Sequence, residues 1–314
     1  MTDYLARALE LAERGRGTTH PNPIVGAVVV RDGEVVGEGW HERKGELHAE
    51  VVALGAAGER ARGSTLYVTM EPCTHHGSTP PCTEAVLAAG VARVVAASLD
   101  PNPKAGGGLE VLRWAGVDVD HADLFDARAQ NEAWRTWVSK GRPFVTYKAA
   151  MTLDGRLTIP GERWISGEES RRLVHELRAA SDAVAVGMGT VLADAPQLDA
   201  RDVDAARQPR RLAFGRGPLP EDSELELRPG PPAEELAALA AEGVQSLLLE
   251  GGPRLAAAFL REGLIDKLLV FVAPKLSGDG PSLLEGDVPA VPLTRLTTSP
   301  VGGDVLLSAY VNEP

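Results

Sequence analysis

Cys73 and Cys82 are the only cysteines in a chain of 314 residues, and both lie in one short stretch, Pro72 to Cys82. Upstream, His48 and Glu50 stand two positions apart. Two thiolates, an imidazole and a carboxylate are the parts of a catalytic zinc site: three protein ligands, one open position, and an acid beside the metal. In the body of a regular helix, His48 and Glu50 would point about 200° apart. They converge only at a helix start whose first turn faces a cleft, and the loop Gly45-Glu46-Leu47 precedes such a start. Cys82 opens a second helix behind Pro80-Pro81. The partial positive end of that helix is expected to depress the Cys82 thiol pKa. Cys73 leaves the end of a strand. All three ligands then fall on strand–helix junctions along one sheet edge, where open α/β folds hold their sites. A disulfide from Cys73 to Cys82 is one alternative, which leaves His48 and Glu50 without a role. A closed structural zinc is another, which leaves Glu50 surplus.

The rest of the chain alternates strands and helices, the pattern of an α/β layer structure with a parallel portion. Residues 3–15 carry helical periodicity. Ile24–Val30 and Glu34–Trp40 pair about the turn Asp32-Gly33. Helices are expected at His48–Ala57, Cys82–Ala89 and Leu109–Ala115, and strands at Ser64–Met70, Ala92–Ser98 and Val117–Val119. Residues 121–142 read as one connecting helix, so domains are expected at 1–142 and 143–314. In the second half strands are expected at Phe144–Ala150, Ala183–Val186, Arg210–Phe214, Ser246–Leu249, Lys267–Val272 and Val305–Val311. Helices are expected at 167–179, 233–242 and 253–262, and 199–209 and 215–232 read as loop.

The net charge of −12 argues against a nucleic-acid partner, because phosphate backbones require a basic surface. It leaves room for a small anionic substrate in a local basic pocket. No apolar run is long enough for a membrane span. The first residues lack a basic region followed by an apolar core, and the cysteines suit a reducing compartment, so a cytoplasmic location is expected.

A His/Cys/Cys zinc with a non-ligand glutamate is the arrangement of nucleobase deaminases. The short deaminase motif has two residues between its cysteines; here there are eight. That longer spacing, with Thr19-His20-Pro21-Asn22-Pro23-Ile24-Val25-Gly26, His48-Ala49-Glu50, Glu71-Pro72-Cys73-Thr74-His75-His76-Gly77, Thr79-Pro80-Pro81-Cys82 and Asp100-Pro101-Asn102-Pro103, closely resembles the bifunctional riboflavin-biosynthesis deaminase/reductase family. The resemblance covers nearly the whole chain. It implies a cytidine-deaminase-like three-layer domain followed by a dihydrofolate-reductase-like domain. The first would remove the 2-amino group of 2,5-diamino-6-ribosylamino-4(3H)-pyrimidinone 5′-phosphate by hydrolysis, and the second would reduce the ribosyl group to ribityl with NADPH. It implies zinc on His48, Cys73 and Cys82, with Glu50 as proton shuttle and Asn22, His41, His75, Asp100 and Asn102 around the deaminase substrate. It also suggests a homo-oligomer.

In the second half the resemblance rests on Lys148, Leu153-Asp154-Gly155-Arg156, Trp164-Ile165-Ser166, Thr190-Val191-Leu192-Ala193-Asp194 and Glu250-Gly251-Gly252-Pro253. It implies reductase substrate contacts at Lys148, Asp154, Arg178, Leu198, Arg201 and Glu250. It implies cofactor contacts at Ala150, Trp164, Thr190, Asp194, Gly251, Gly252 and Pro253. The chain departs from the family at Gly215-Arg216, where Asp-Ser is usual, and is shorter after Pro229. An alternative therefore stands: a deaminase whose second domain serves assembly or binding. On their own residues, Asn22, Asn102 and Asp154 also suit plain turns.

Overall fold

The computed structural model describes residues 3–76 and 80–314, which divide into two compact units between Ser139 and Lys140. Gly77 and Thr79 of the cysteine motif lie outside the described residues.

The first unit runs α1 (Asp3–Glu13), β1 (Gly26–Arg31), β2 (Glu34–Trp40), α2 (Ala49–Ala57), β3 (Thr65–Val68), α3 (Cys82–Ala89), β4 (Arg93–Ala96), α4 (Gly108–Trp114), β5 (Asp118–His121), α5 (Phe125–Gln130) and α6 (Glu132–Lys140). Its sheet has the order β2-β1-β3-β4-β5, antiparallel from β2 to β3 and parallel from β3 to β5. Strand alternation sorts the core into two layers. Ala27, Val29, Leu66 and Val94 face α2, α3 and α4, whereas Val28, Val30, Val95 and Ala97 face α1 and α5. The result is the expected three-layer arrangement. The α2 backbone lies directly on β2, where a Cβ at Gly39 would stand 2.6 Å from the Ala49 carbonyl oxygen. Glycine at that position brings the start of α2 onto the sheet.

Residues 121–142 do not form one helix. They form α5 and α6, broken at Asn131. The buried Asn131 side chain accepts the Ile24 N–H at 2.9 Å and donates to the Ile24 carbonyl at 2.9 Å. That bidentate clasp holds the chain beside the 19–24 loop and competes with helix continuation.

The second unit runs β6 (Phe144–Thr152), α7 (Glu168–Ala180), β7 (Ala183–Gly187), α8 (Met188–Asp194), β8 (Arg210–Phe214), β9 (Glu226–Arg228), α9 (Pro232–Ala241), β10 (Ser246–Leu249), α10 (Pro253–Arg261), β11 (Lys267–Ala273), β12 (Thr294–Val301) and β13 (Asp304–Tyr310). Eight strands lie in the order β12-β13-β11-β6-β10-β7-β8-β9. Those from β11 to β9 are parallel, and the β12–β13 hairpin is antiparallel at one edge. This fits the expected dihydrofolate-reductase-like α/β domain. Val145, Tyr147, Leu212 and Leu249 pack toward α9 and α10; Val184, Val186, Ala213 and Leu248 pack on the opposite face, with α8 and Leu177 of α7.

Three elements of this unit escape the sequence reading. The β9 strand lies inside the stretch expected to be loop, and has three residues. Buried Arg228 holds it by donating to both Glu242 oxygens, at 3.2 and 2.9 Å. The α8 helix is short and contains Gly189; Val191 anchors it in the core. Nearly every β12 residue is exposed, so no alternation marks it, and its order comes from pairing with β13.

Candidate functional site

In the first unit, His48 is the N-cap of α2, in extended backbone at φ −73° and ψ 158°. Its Nδ1 stands 3.2 Å from the Cys82 Sγ and 3.6 Å from the Cys73 Sγ. The three ligand atoms lie within 4.8 Å of one another. A tetrahedral zinc with Zn–S of about 2.3 Å and Zn–N of about 2.0 Å sets N and S about 3.6 Å apart. The donor set therefore fits zinc in chemistry and in size. Both cysteines are free thiols, so the disulfide alternative does not hold in this structure.

Glu50 follows in the first turn of α2 and is buried. Burial pushes its pKa up to about 7. A buried carboxylic acid next to the ligand cluster can hold a proton and release it near neutral pH.

The two thiols do not behave as the helix-dipole argument expects. The hydrogen bond from the Cys82 thiol, and after it His48, lower the Cys73 thiol pKa below its usual range. Cys82 is pushed up, because it keeps its proton for that bond. The reason lies in the direction of the helix amides. The Cys82 backbone N–H, at the start of α3, donates to the Cys73 Sγ at 3.4 Å, so the positive helix end serves the other sulfur. Zinc would need both sulfurs as thiolates, so its retention at this site would weaken as pH falls.

The neighbouring residues are held by one another. His41 is buried, and its ring stands edge-on to His48 with centroids 5.3 Å apart. Burial pulls its pKa down, which favours the neutral ring. Its Nδ1–H then donates to the Leu47 carbonyl at 3.1 Å, and its Nε2 accepts from the Asn22 amide at 3.2 Å. Asp100 accepts the Asn102 N–H at 2.8 Å, and Asn102 accepts the Lys104 N–H at 3.1 Å, so both build consecutive turns. Burial raises the Asp100 carboxyl to about 6. Sequence reasoning places Glu71 in the cysteine motif but gives it no role. Its buried carboxylate accepts the N–H groups of Asp100 at 3.2 Å and Leu109 at 2.9 Å, fastening the Asp100 loop to the residue two before Cys73. His75 is exposed.

Gly108 gives this corner a test. A Cβ there would stand 1.7 Å from the Pro72 carbonyl oxygen, next to Cys73. Gly108→Ala must displace one backbone against another, at a cost of about 3 kcal/mol. The expected result is a lower melting temperature and weaker zinc retention, read by calorimetry and by metal content after dialysis. An unchanged melting temperature would contradict the close packing.

In the second unit, a cleft of about 1580 Å³ opens at the carboxyl ends of β6, β10, β7 and β8. At its base, Glu250 accepts Arg178 Nε at 2.6 Å and Nη2 at 3.0 Å, and Lys148 Nζ at 3.4 Å. Burial pushes the Glu250 carboxyl up, but Lys148 and Arg178 outweigh it and hold the pKa below its usual value. Beyond Glu250, Gly251 and the N-cap Gly252 lead into α10 with Pro253 in its first turn. These bare amides suit a pyrophosphate. Thr190 lies across from them, 3.5 Å from where a Gly252 Cβ would sit. The cleft and this turn fit a dinucleotide.

Of the expected reductase residues, Lys148, Ala150, Trp164, Arg178, Thr190, Asp194, Arg201, Glu250, Gly251, Gly252 and Pro253 line the cleft. Asp154 and Leu198 do not. Asp154 accepts the Thr152 hydroxyl at 2.5 Å and the N–H groups of Ser277 and Gly278 at 3.1 and 2.7 Å, which hold its carboxyl near pH 2. Its observed work is to close a turn. Leu198 is buried in the core at φ 56°. His175 was missed: it lines the cleft, and its Nδ1 lies 3.1 Å from the Asp199 carbonyl oxygen.

A sheet-edge His/Cys/Cys cluster with a buried glutamate, in a chain that also carries a charged, glycine-lipped α/β cleft, defines a zinc deaminase-type unit joined to a reductase-type unit. Residues 1–98 match the family model of the cytidine and deoxycytidylate deaminase zinc-binding region, and residues 143–307 match that of the RibD C-terminal domain. The chain belongs to the RibD family. It is 44% identical to the riboflavin biosynthesis protein RibD of Aquifex aeolicus, over 90% of this chain and 89% of that one. It is 43% identical to the Mycobacterium tuberculosis protein of the same name, over 98% and 96%. Among solved structures, RibD of Acinetobacter baumannii superposes with a TM-score of 0.85 at 35% identity, over 98% of both chains. A Thermotoga maritima diaminohydroxyphosphoribosylaminopyrimidine deaminase/5-amino-6-(5-phosphoribosylamino)uracil reductase superposes at 0.81 and 34% identity, over 98% and 97%.

Proposed function

We propose that this chain carries out two consecutive steps of riboflavin biosynthesis on one phosphorylated pyrimidine. Hydrolysis removes the 2-amino group of 2,5-diamino-6-ribosylamino-4(3H)-pyrimidinone 5′-phosphate, and NADPH then reduces the ribosyl side chain to ribityl. The observation that carries this reading is the presence in one chain of His48, Cys73 and Cys82 around Glu50, together with a cleft whose buried Glu250 is paired with Lys148 and Arg178.

In this reading residues 1–142 are the deaminase domain and 143–314 the reductase domain. His48, Cys73 and Cys82 would hold zinc, which would supply Lewis acidity toward a water molecule. Glu50 takes a proton from that water and delivers it to the departing amine, so oxygen replaces nitrogen at C2 and ammonia leaves. Asn22 and His41 support the His48 side of the site, and the Asp100–Asn102 turns border the pyrimidine. In the second domain the cleft and the Gly251-Gly252 turn would hold NADPH, which would supply a hydride. Arg201, which lines the cleft, suits the substrate phosphate, while Arg178, its fork taken by Glu250, holds that carboxylate in place. The chain assembles as a homo-oligomer and resides in the cytoplasm; among the described residues no helix is long and apolar enough to cross a membrane.

Two-step chemistry is favoured over a deaminase with a binding-only second domain because the cleft keeps both its charged floor and its glycine turn. Purified protein given the deaminated intermediate and NADPH is expected to consume the nicotinamide absorbance. A flat trace, with ammonia still released from the diamino substrate, would leave only the deaminase.

A further inference from the structure

We infer that His175 and Gln208 are positioning residues of the reductase: they hold the backbone of residues 199–201 so that Arg201 stands in the cleft already set for the substrate phosphate. The inference rests on the reductase reading of the second unit and adds to it two residues outside its expected contacts.

Between α8 and β8 the chain forms no helix or strand, so nothing regular fixes its path. Ala195 at φ 42°, Leu198 at φ 56° and Asp202 at φ 60° all adopt left-handed backbone, which residues with a Cβ avoid. Three such residues in one short stretch persist only where their surroundings hold them. Side chains from elsewhere in the unit do so at three consecutive residues. Arg178 Nη1 donates to the Asp199 carbonyl at 3.1 Å. The Gln208 amide grips Ala200 from both sides: its Oε1 accepts the Ala200 N–H at 2.8 Å, and its Nε2 donates to the Ala200 carbonyl at 2.8 Å. The Arg201 N–H donates to His175 Nδ1 at 3.3 Å.

These partners also set the tautomer of His175. Its Nδ1 lies 3.1 Å from the Asp199 carbonyl oxygen as well, but one ring nitrogen cannot donate there and accept from Arg201 at once. Arg178 already gives the Asp199 carbonyl a donor, whereas the Arg201 N–H has no second acceptor among the described residues. Nδ1 therefore accepts, and the ring carries its proton on Nε2. His175 stands about one turn before Arg178 on α7, and both line the cleft with Arg201. One helix thus pairs with Glu250 in the floor and holds the turn that presents Arg201. In the Arg201 side chain, Nη1 is taken by Asp199 and Gln197, at 2.6 and 3.2 Å. Its Nε and Nη2 have no partner among the described residues, and this edge of the guanidinium is open to a phosphate. Fork-to-phosphate pairing needs that edge in one orientation, which the fixed backbone supplies before the substrate arrives.

His175→Leu and His175→Asn are the test, with Gln208→Ala beside them. The full chain is assayed by NADPH oxidation with the deaminated intermediate, and with the same compound freed of its phosphate. His175→Leu is expected to raise KM for the phosphorylated intermediate about tenfold, the scale of one backbone hydrogen bond left unmade, while kcat and the KM for NADPH hold. His175→Asn should recover most of that loss, because its amide oxygen stands near the place of Nδ1 and accepts the same N–H. Gln208→Ala should raise the same KM, and no variant should move the KM of the phosphate-free compound. Added to Arg201→Ala, His175→Leu should raise KM no further, since the group it positions is gone. Gln208 is exposed, so Gln208→Ala decides alone if His175→Leu does not fold. An unchanged KM, an equal rise for the phosphate-free compound, or a full second rise on top of Arg201→Ala would overturn the assignment while the reductase stands. If the unsubstituted protein does not oxidise NADPH with the intermediate, the reductase reading falls and the assignment with it.

Discussion

Glu50→Gln is expected to abolish deaminase turnover, by about 100- to 10,000-fold, while the protein still holds zinc. The substitution keeps the size of the side chain and removes its ability to carry a proton. Glu50 is not among the three ligand atoms that cluster within 4.8 Å, so metal content should stay at the level of the unsubstituted protein. Burial works in favour of folding here. A carboxyl group whose pKa is pushed up to about 7 is already costly to ionise, and a neutral amide avoids that cost. The melting temperature should therefore hold or rise. Ammonia release and zinc content read the two expectations separately, and NADPH oxidation with the deaminated intermediate is the internal control. Turnover at the normal rate would remove Glu50 from the proton path. Loss of zinc together with turnover would instead make it part of the ligand shell.

Much of that site is legible in the residues because its parts sit where local rules operate. Cys82 follows two prolines at a helix start, and His48 and Glu50 can converge only at another. Which thiol the α3 amides stabilise is not legible, since it depends on where the Cys82 N–H points in three dimensions. The same limit hides Glu71 and Asn131. Each binds backbone groups distant in sequence, Leu109 in one case and Ile24 in the other. In the second unit the glycine turn and Glu250 are visible as a strand–helix junction, but Asp154 and Leu198 show the opposite case. Asp154 beside Gly155 suits a turn as well as a substrate contact, and its partners here are turn partners. Leu198 takes a positive φ and faces the core, which no periodicity reveals. The β12 strand is invisible for a simpler reason: an edge strand exposed along its length has no apolar face to betray it.

Glu250→Ala is expected to cripple the reductase and destabilise its unit while sparing the deaminase. The carboxylate is buried and compensates two cations, Lys148 at 3.4 Å and Arg178 at 2.6 Å. Removing it leaves two positive charges in a poorly solvated floor, a loss of about 3–5 kcal/mol. Arg178 would keep one partner, the Asp199 carbonyl at 3.1 Å, but Lys148 would lose the ion pair that fixes it. Both side chains line the cleft, so their displacement should reach the substrate directly. Calorimetry should resolve a lowered transition for this unit, and NADPH oxidation should fall at least about 100-fold, the scale of losing a positioned charge. Ammonia release from the diamino substrate should remain. The double variant Arg178→Ala with Glu250→Ala separates a charge network from a mere packing loss. If the network carries the energy, the double variant is destabilised by less than the sum of the two single changes, because removing Arg178 relieves one of the stranded cations. Strict additivity would show that Arg178 and Glu250 act independently, and the charged floor would then lose its claim to organise the cleft.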